Sequence, residues 1–318
     1  MKVGLGEYPG TPRRVFNQSR LTTWINCHNQ HDLVYNKNLA PDADTPLPLV
    51  LGSWWHDCVQ AFFDTDLAAA SALNDQRLGD LVDERPDNEG AFVKFHTWTA
   101  CALPIYEAEY GHEHNPFGDV LATEQRFWVE FATGDVALGT FDALGRKHGI
   151  LTVGEHKTVA AGTEFGTYML MRRSHPQTTL YREAALGLTN DSAFREEYGV
   201  EAGKVMVVHD LARKDPWPVK GSKNGTVEER REQWASGLLH LDTTVHERYE
   251  NREQWSEFLD VMYHYLYMSH YRDKNLRACL WPSGSKACPV FDACHHGVTE
   301  GYSERKPDYV DLARKANQ

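Results

Sequence analysis

The sequence lacks a stretch that could span a membrane. Its nearest candidate, "FLDVMYHYLYM" (258–268), is too short and carries Asp260 and His264. The opening residues, "MKVGLGEYPGTPRR", have no apolar segment of the kind a secretory leader needs. These two absences set the expectation of a cytoplasmic protein. There is no internal repeat and no low-complexity tract. No Walker A loop is present: "GVEAGKV" (199–205) has the wrong spacing and no Ser or Thr after its lysine, so the chain cannot power unwinding itself. Positive charge is also scarce, with 33 Lys and Arg against 45 Asp and Glu for a net charge of −12. That argues against broad electrostatic binding of nucleic acid but leaves room for a local basic groove. Arg172, Arg173 and Arg182 lie close in sequence, while Arg230 and Arg231, flanked by Glu229 and Glu232, read as a solvated helix face.

Paired C-x2-C knuckles are missing too, although three of the six cysteines, Cys279, Cys288 and Cys294, fall in the run C-x8-C-x5-C. In a reducing compartment such a group reads as a metal site rather than a disulfide framework. Three thiols fall one short of the usual four ligands. Of the other cysteines, Cys27 sits in an N-terminal helical pattern, and Cys58, among apolar neighbours, reads as a buried thiol.

The 318 residues, 41% hydrophobic, suffice for one large domain or two ordinary ones. "NQSRLTTWINCHNQHDLVY" (17–35) predicts a helix with Ser19 near its start, and "GSWWHDCVQAFFD" (52–64) predicts another. Residues 74–118 give no readable pattern. Three strands follow, "TEQRFWVEF", "VALGTFDAL" and "ILTVGEHKT", the last two separated by the turn-like "GRKHG". A helix with Pro176 in its first turn covers 174–188, "KVMVVHDLA" (204–212) is a fourth strand, and 226–270 reads as two long helices. The order implies an α/β core with a central mixed sheet flanked by helices and helical additions at both ends. We divide it into an N-terminal helical segment (1–50), a core with a helical insertion (51–215) and a C-terminal helical segment (216–318).

Strand alternation puts Glu155 and Lys157 on one face of the third strand. If that strand forms a hairpin with the second, Asp142 lies beside Glu155. Two carboxylates so placed repel unless a cation sits between them, and Mg2+ or Mn2+ suits carboxylate oxygens best. Such an ion polarises a phosphodiester and acidifies water, and a neighbouring lysine orients that water and offsets developing charge. Taken alone, this trio is as readily surface decoration. Likewise His56, on a helix face with Val59 and Phe63, reads first as a packed core residue, and Gln177 and Tyr181, four apart, as helix packing.

In order along the chain stand "GSWWH" (Gly52 to His56), "GTFD" (Gly139 to Asp142), "EHK" (Glu155 to Lys157) and "QTTLY" (Gln177 to Tyr181). This series resembles the RecB-like branch of the PD-(D/E)XK nuclease superfamily. The resemblance implies a restriction-endonuclease-like core and a Mg2+- or Mn2+-dependent deoxyribonuclease. It implies that His56, Asp142 and Glu155 bind the ion with the backbone carbonyl of His156, and that Lys157 positions water. Gln177 and Tyr181 would hold the active-site face of their helix and touch the DNA backbone. Glu124, on the preceding strand, is the lesser candidate for the metal group. A subset of the branch, including AddB-type subunits and CRISPR-associated exonucleases, carries an iron–sulfur cluster held by one cysteine before the core and three after it. By that resemblance, Cys27 joins Cys279, Cys288 and Cys294 around a structural 4Fe-4S cluster clasping the two ends, with zinc as the rival occupant. Single-stranded DNA or DNA ends as substrate, and a helicase or recombinase partner, are further implications. The competing reading from another class is a module of the same fold that grips DNA ends or a protein without cutting.

Overall fold

The computed structural model describes residues 1–41, 45–111, 114–173, 175–216, 218, 225–247, 252–267 and 302–304. It begins with two short strands, β1 (Lys2–Leu5) and β2 (Val15–Asn17), then helices α1 (Gln18–Asn26) and α2 (His28–His31). The Asn17 side chain caps α1 by accepting from the Arg20 amide. A π-helical turn at Asp32–Asn36 leads to β3 (Leu39–Pro41). Three long helices follow: α3 (Leu47–Asp64), α4 (Leu67–Glu84) and α5 (Glu89–Tyr110). The central strands are β4 (Asp119–Glu130), β5 (Val136–Lys147) and β6 (Ile150–Ala160). Helices α6 (Phe165–Arg173), α7 (Pro176–Leu188) and α8 (Ser192–Tyr198) then connect to β7 (Lys204–Lys214). The remainder is α9 (Val227–Ser236), β8 (Leu239–Glu247), α10 (Arg252–Tyr267) and β9 (Tyr302–Glu304).

Seven strands form one mixed sheet in the order β1-β4-β5-β6-β7-β8, with β2 pairing to β5 off this path. The sheet therefore draws strands from both sides of the 51–215 span. The β5–β6 hairpin turns through His148 and Gly149, both at positive φ (53° and 77°), as a two-residue primed turn requires. The β6–β7 pair is parallel, and its crossover carries α6, α7 and α8. One sheet face is covered by α1, α7 and α10, whose Trp24, Leu180, Ala184 and Met262 pack with Phe127, Phe141, Val153 and Val207. The other face is covered by α3, α4 and α5, where Trp54, Trp55, Phe92, Trp98 and Tyr106 form a largely aromatic core. Both faces being buried explains why the central strands read as apolar runs.

β5 carries the feature that matters most. One edge pairs with β4 nearly throughout. The other edge is shared: residues 136–138 pair with β2, and 143–147 pair with β6. Residues 139–142 lie between these two partners, so on that edge their backbone groups have no strand to pair with. The pleat also slips at this level. Phe127 and Phe141 belong to the α7-side core, yet further along it is Ala122 and Leu144 that pack there, a change of parity in both strands.

Several sequence expectations change. Residues 74–118 contain most of α4 and all of α5. Residues 226–270 hold α9 and α10 with the strand β8 between them. Ser19 does lie near the start of α1, but Asn17 is its cap, and the helix expected over 17–35 is interrupted at Cys27. Cys279, Cys288 and Cys294 lie outside the described residues. Among the described residues, no helix is long and apolar enough to cross a membrane.

Candidate active site

The break in the β5 ladder is where the site forms. β5 and β6 pair as far as Ala143 and Gly154 and then separate. The freed amide of His156 donates instead to Asp142 Oδ2, at 2.9 Å. On the other side, β4 shifts register between Val120 and Ala122, and Glu124, between the paired Thr123 and Gln125, lies opposite Asp142 without forming a ladder pair. Glu124 has φ +47°, a left-handed conformation that costs a non-glycine residue on the order of 1–3 kcal/mol. Together the slips aim two carboxylates at one point.

His56, from α3, lies between them. Its Nδ1 is 3.3 Å from Glu124 Oε1 and its Nε2 is 3.2 Å from Asp142 Oδ2. The helix approaches β6 closely here, since a Cβ on Gly52 would sit 3.5 Å from Thr158 Oγ1. The three side chains offer ligand atoms that all lie within 4.8 Å of one another. Burial disfavours the His56 imidazolium, but the hydrogen bond and charge of Asp142, with Glu124 beyond, hold its pKa above the ordinary histidine value. Burial and the Asp142 charge push Glu124 upward. Burial opposes the Asp142 carboxylate as well, yet its bond to His56 and the charge of Lys157 keep its pKa below the usual range. One nitrogen and two carboxylate oxygens, facing each other without a lysine or arginine bonded among them, are a donor set that fits Mg2+ or Mn2+.

Glu155 is placed otherwise. It is 2% exposed and does not join that group. Both of its oxygens accept from Arg172 Nη2, Lys157 Nζ lies 3.1 Å from Oε1, and His209 Nδ1 lies 3.3 Å from Oε2. Burial alone would raise its pKa, but Lys157, His209 and Arg172 hold it well below the ordinary carboxylate value. Lys157 is in turn kept protonated, because Glu155 and Asp142 outweigh the effect of its burial. The ammonium, its side chain 35% exposed, thus stands between the two acidic positions.

Arg172 also donates to Gln177 Oε1 at 2.9 Å. Gln177 Nε2 donates to the Tyr181 hydroxyl at 3.0 Å, and that hydroxyl donates to the Thr140 carbonyl in the unpaired stretch of β5. Tyr181 is only 7% exposed, and its hydroxyl fastens α7 to β5. Arg182, 1% exposed, cannot line a basic groove.

Behind the site, His156 points to the opposite face. Its Nδ1 meets Asp210 Oδ2 at 2.9 Å, Tyr106 of α5 donates to the same oxygen at 2.6 Å, and Phe63 stacks on the ring. The β6–β7 register explains both attachments, because Glu155 lies opposite His209 and His156 opposite Asp210. Elsewhere, Cys58 is a buried thiol whose pKa burial pushes up to about 12. Cys27 is buried between α1 and α2, and its sulfur accepts the Gln30 amide at 3.5 Å.

Sequence reasoning singled out His56, Asp142, Glu155, Lys157, Gln177 and Tyr181, and the fold brings all six into this region. It ranked Glu124 too low and treated Arg172 only as part of a basic stretch. The sequence model described as the PD-(D/E)XK nuclease superfamily matches residues 15–295. No curated protein gives a match.

Proposed function

The chain belongs to the PD-(D/E)XK nuclease superfamily, and from that premise we propose a metal-dependent deoxyribonuclease that degrades single-stranded DNA from its ends. The observation that carries the reading is the convergence of His56, Glu124 and Asp142 beside Lys157 at the break between β5 and β6. Those three side chains would hold the ion, which when bound polarises the phosphodiester and acidifies water. Asp142 is the pivot, its Oδ2 fixed by the His156 amide and facing His56 Nε2. Lys157 orients the attacking water and places a positive charge where the phosphorane gathers negative charge. Glu155 holds that ammonium in place. Gln177 and Tyr181 fix the helix against the open stretch of β5.

End-labelled linear single-stranded DNA is expected to be degraded in the presence of Mn2+ and left intact with EDTA. A covalently closed single-stranded circle is expected to survive. Equal cutting of circle and linear strand would replace the exonuclease by an endonuclease, and cutting undiminished by EDTA would remove the metal altogether.

The same reading gives the chain a structural 4Fe-4S cluster on Cys27, Cys279, Cys288 and Cys294. Two observations support it: Cys27 is buried at the junction of α1 and α2, in the N-terminal segment, and β3 pairs with β9 across most of the chain. Protein purified without oxygen is expected to be brown, with a broad absorption that is lost in Cys27→Ala. A colourless protein holding stoichiometric zinc would assign the cysteines to zinc instead.

A further inference from the structure

Resting on the reading above, we propose that His175 is a further substrate-binding residue: its Nε2–H is an uncharged donor that holds a phosphate of the DNA strand beside Arg172 and Lys157. His175 caps α7 through its side chain, its Nδ1 accepting from the Gln177 amide at 3.2 Å. A neutral imidazole that accepts at Nδ1 carries its proton on Nε2. The capping bond therefore fixes the tautomer and leaves a donor on the side of the ring away from that amide. The donor meets no partner among the described residues, and the residue is only partly buried.

The surroundings of the ring are those of the reacting centre. The His175 amide donates to the Arg172 carbonyl at 3.0 Å, and Arg172 Nη2 reaches both Glu155 and Gln177. The carbonyl of Arg172 also accepts from the Thr178 hydroxyl at 2.7 Å, so the end of α6 is pinned to the start of α7 with His175 between them. Burial and the charges of Arg172 and Lys157 outweigh that of Glu155 and push the His175 pKa down to about 4. The ring is thus neutral near pH 7, where it adds no third positive charge to repel Arg172 and Lys157. A neutral N–H adds direction instead, since it is satisfied only by an acceptor at a set distance and angle. A phosphate oxygen drawn in by the two cations is such an acceptor, and a contact of this kind fixes the register of a strand without reading its sequence.

Two substitutions separate the two ring nitrogens. Asn keeps an acceptor for the cap but does not reach the Nε2 position, whereas Gln reaches it and is the poorer cap. Binding of a fluorescein-labelled single-stranded oligonucleotide in EDTA, followed by anisotropy, reads affinity without turnover. If the strand binds only with the metal, the KM of Mn2+-dependent cleavage carries the same comparison. His175→Asn is expected to weaken binding about tenfold, the scale of one hydrogen bond to a charged group, with the melting temperature unchanged. His175→Gln is expected to bind nearly as the wild type does and to melt earlier. Because no charge is removed, the slope of log affinity against log salt is expected to be the same in His175→Asn, whereas loss of a charged phosphate contact would reduce it by about 0.7. Wild-type affinity in folded His175→Asn, or a reduced slope, would overturn the proposal and leave metal-dependent cleavage standing. A wild type that neither binds the strand nor cuts it with Mn2+ would instead remove the reading on which the proposal rests. His175→Asn decides the matter even if His175→Gln does not fold.

Discussion

Lys157→Ala is expected to lower metal-dependent DNA cleavage by about 10²–10³-fold, the scale found when one preorganised group facing developing charge is removed. The fold is expected to survive the change. Lys157 is partly exposed, and its partner Glu155 keeps both Arg172 and His209. Lys157→Arg is not expected to restore the rate, because the planar guanidinium cannot place a point charge at the same spot. Single-turnover cleavage, compared with far-ultraviolet circular dichroism and the melting temperature, separates loss of chemistry from loss of structure. Undiminished cutting by a folded Lys157→Ala protein would contradict the assignment.

Glu155→Ala is expected to act mainly on stability, costing about 3–5 kcal/mol, as does removal of one partner from a buried ionic group. Lys157, Arg172 and His209 would be left facing one another with no anion among them. The effect has a definite pH dependence. In the folded protein the Glu155 pKa lies well below its ordinary value, whereas in the unfolded chain it returns to about 4.3. The contribution is therefore fully present above the unfolded pKa and is lost as the pH falls through that value toward the folded one. Urea unfolding of wild type and Glu155→Gln between neutral and acid pH is expected to show a gap that is constant near neutrality and narrows below about pH 4.3. A gap that widens on acidification would mean that the carboxylate is not the anion holding these groups.

The parts of the site that could be read in advance share one property: their residues recur at fixed local spacing. Glu155 and Lys157 share a strand face, Gln177 and Tyr181 share a helix face, and the alternating strands around them are apolar. Glu124 offered no such sign. It reaches the site only because β4 breaks its alternation there, and a single glutamate in "TEQRF" does not announce a change of backbone sign. Arg172 was hidden by its neighbour Arg173, since adjacent arginines usually mean solvent. The Tyr106–Asp210–His156 contact joins residues more than fifty positions apart at each step, and no local pattern encodes it.

The fold shows the same division. The four central strands and the helix between the third and fourth of them were legible, and so was the turn at "GRKHG". Helices α4 and α5 were not. α5 buries Phe92, Phe95, Trp98, Ala102, Tyr106 and Tyr110 and contains Pro104, so its apolar stripe is broad and a breaker lies inside it. β8 was lost in a stretch rich in charge, because an outer strand keeps half its side chains in water. β1 and β2 are too short to signal themselves and exist because the long strands β4 and β5 offer them edges.

The pairing of Leu39–Pro41 with Tyr302–Glu304 has a consequence for biosynthesis. A ribosome releases the first of these strands long before the second, so the two cannot meet while the chain is still short. The sheet that carries Asp142 and Lys157, and the α3 helix that carries His56, need neither of them and can assemble on the emerging polypeptide. The junction of β3 with β9 is then a late, slow closure, with the largest sequence separation among the described strand pairs. A chain cut short before Tyr302 would lose that fastening while retaining every residue of the reacting centre.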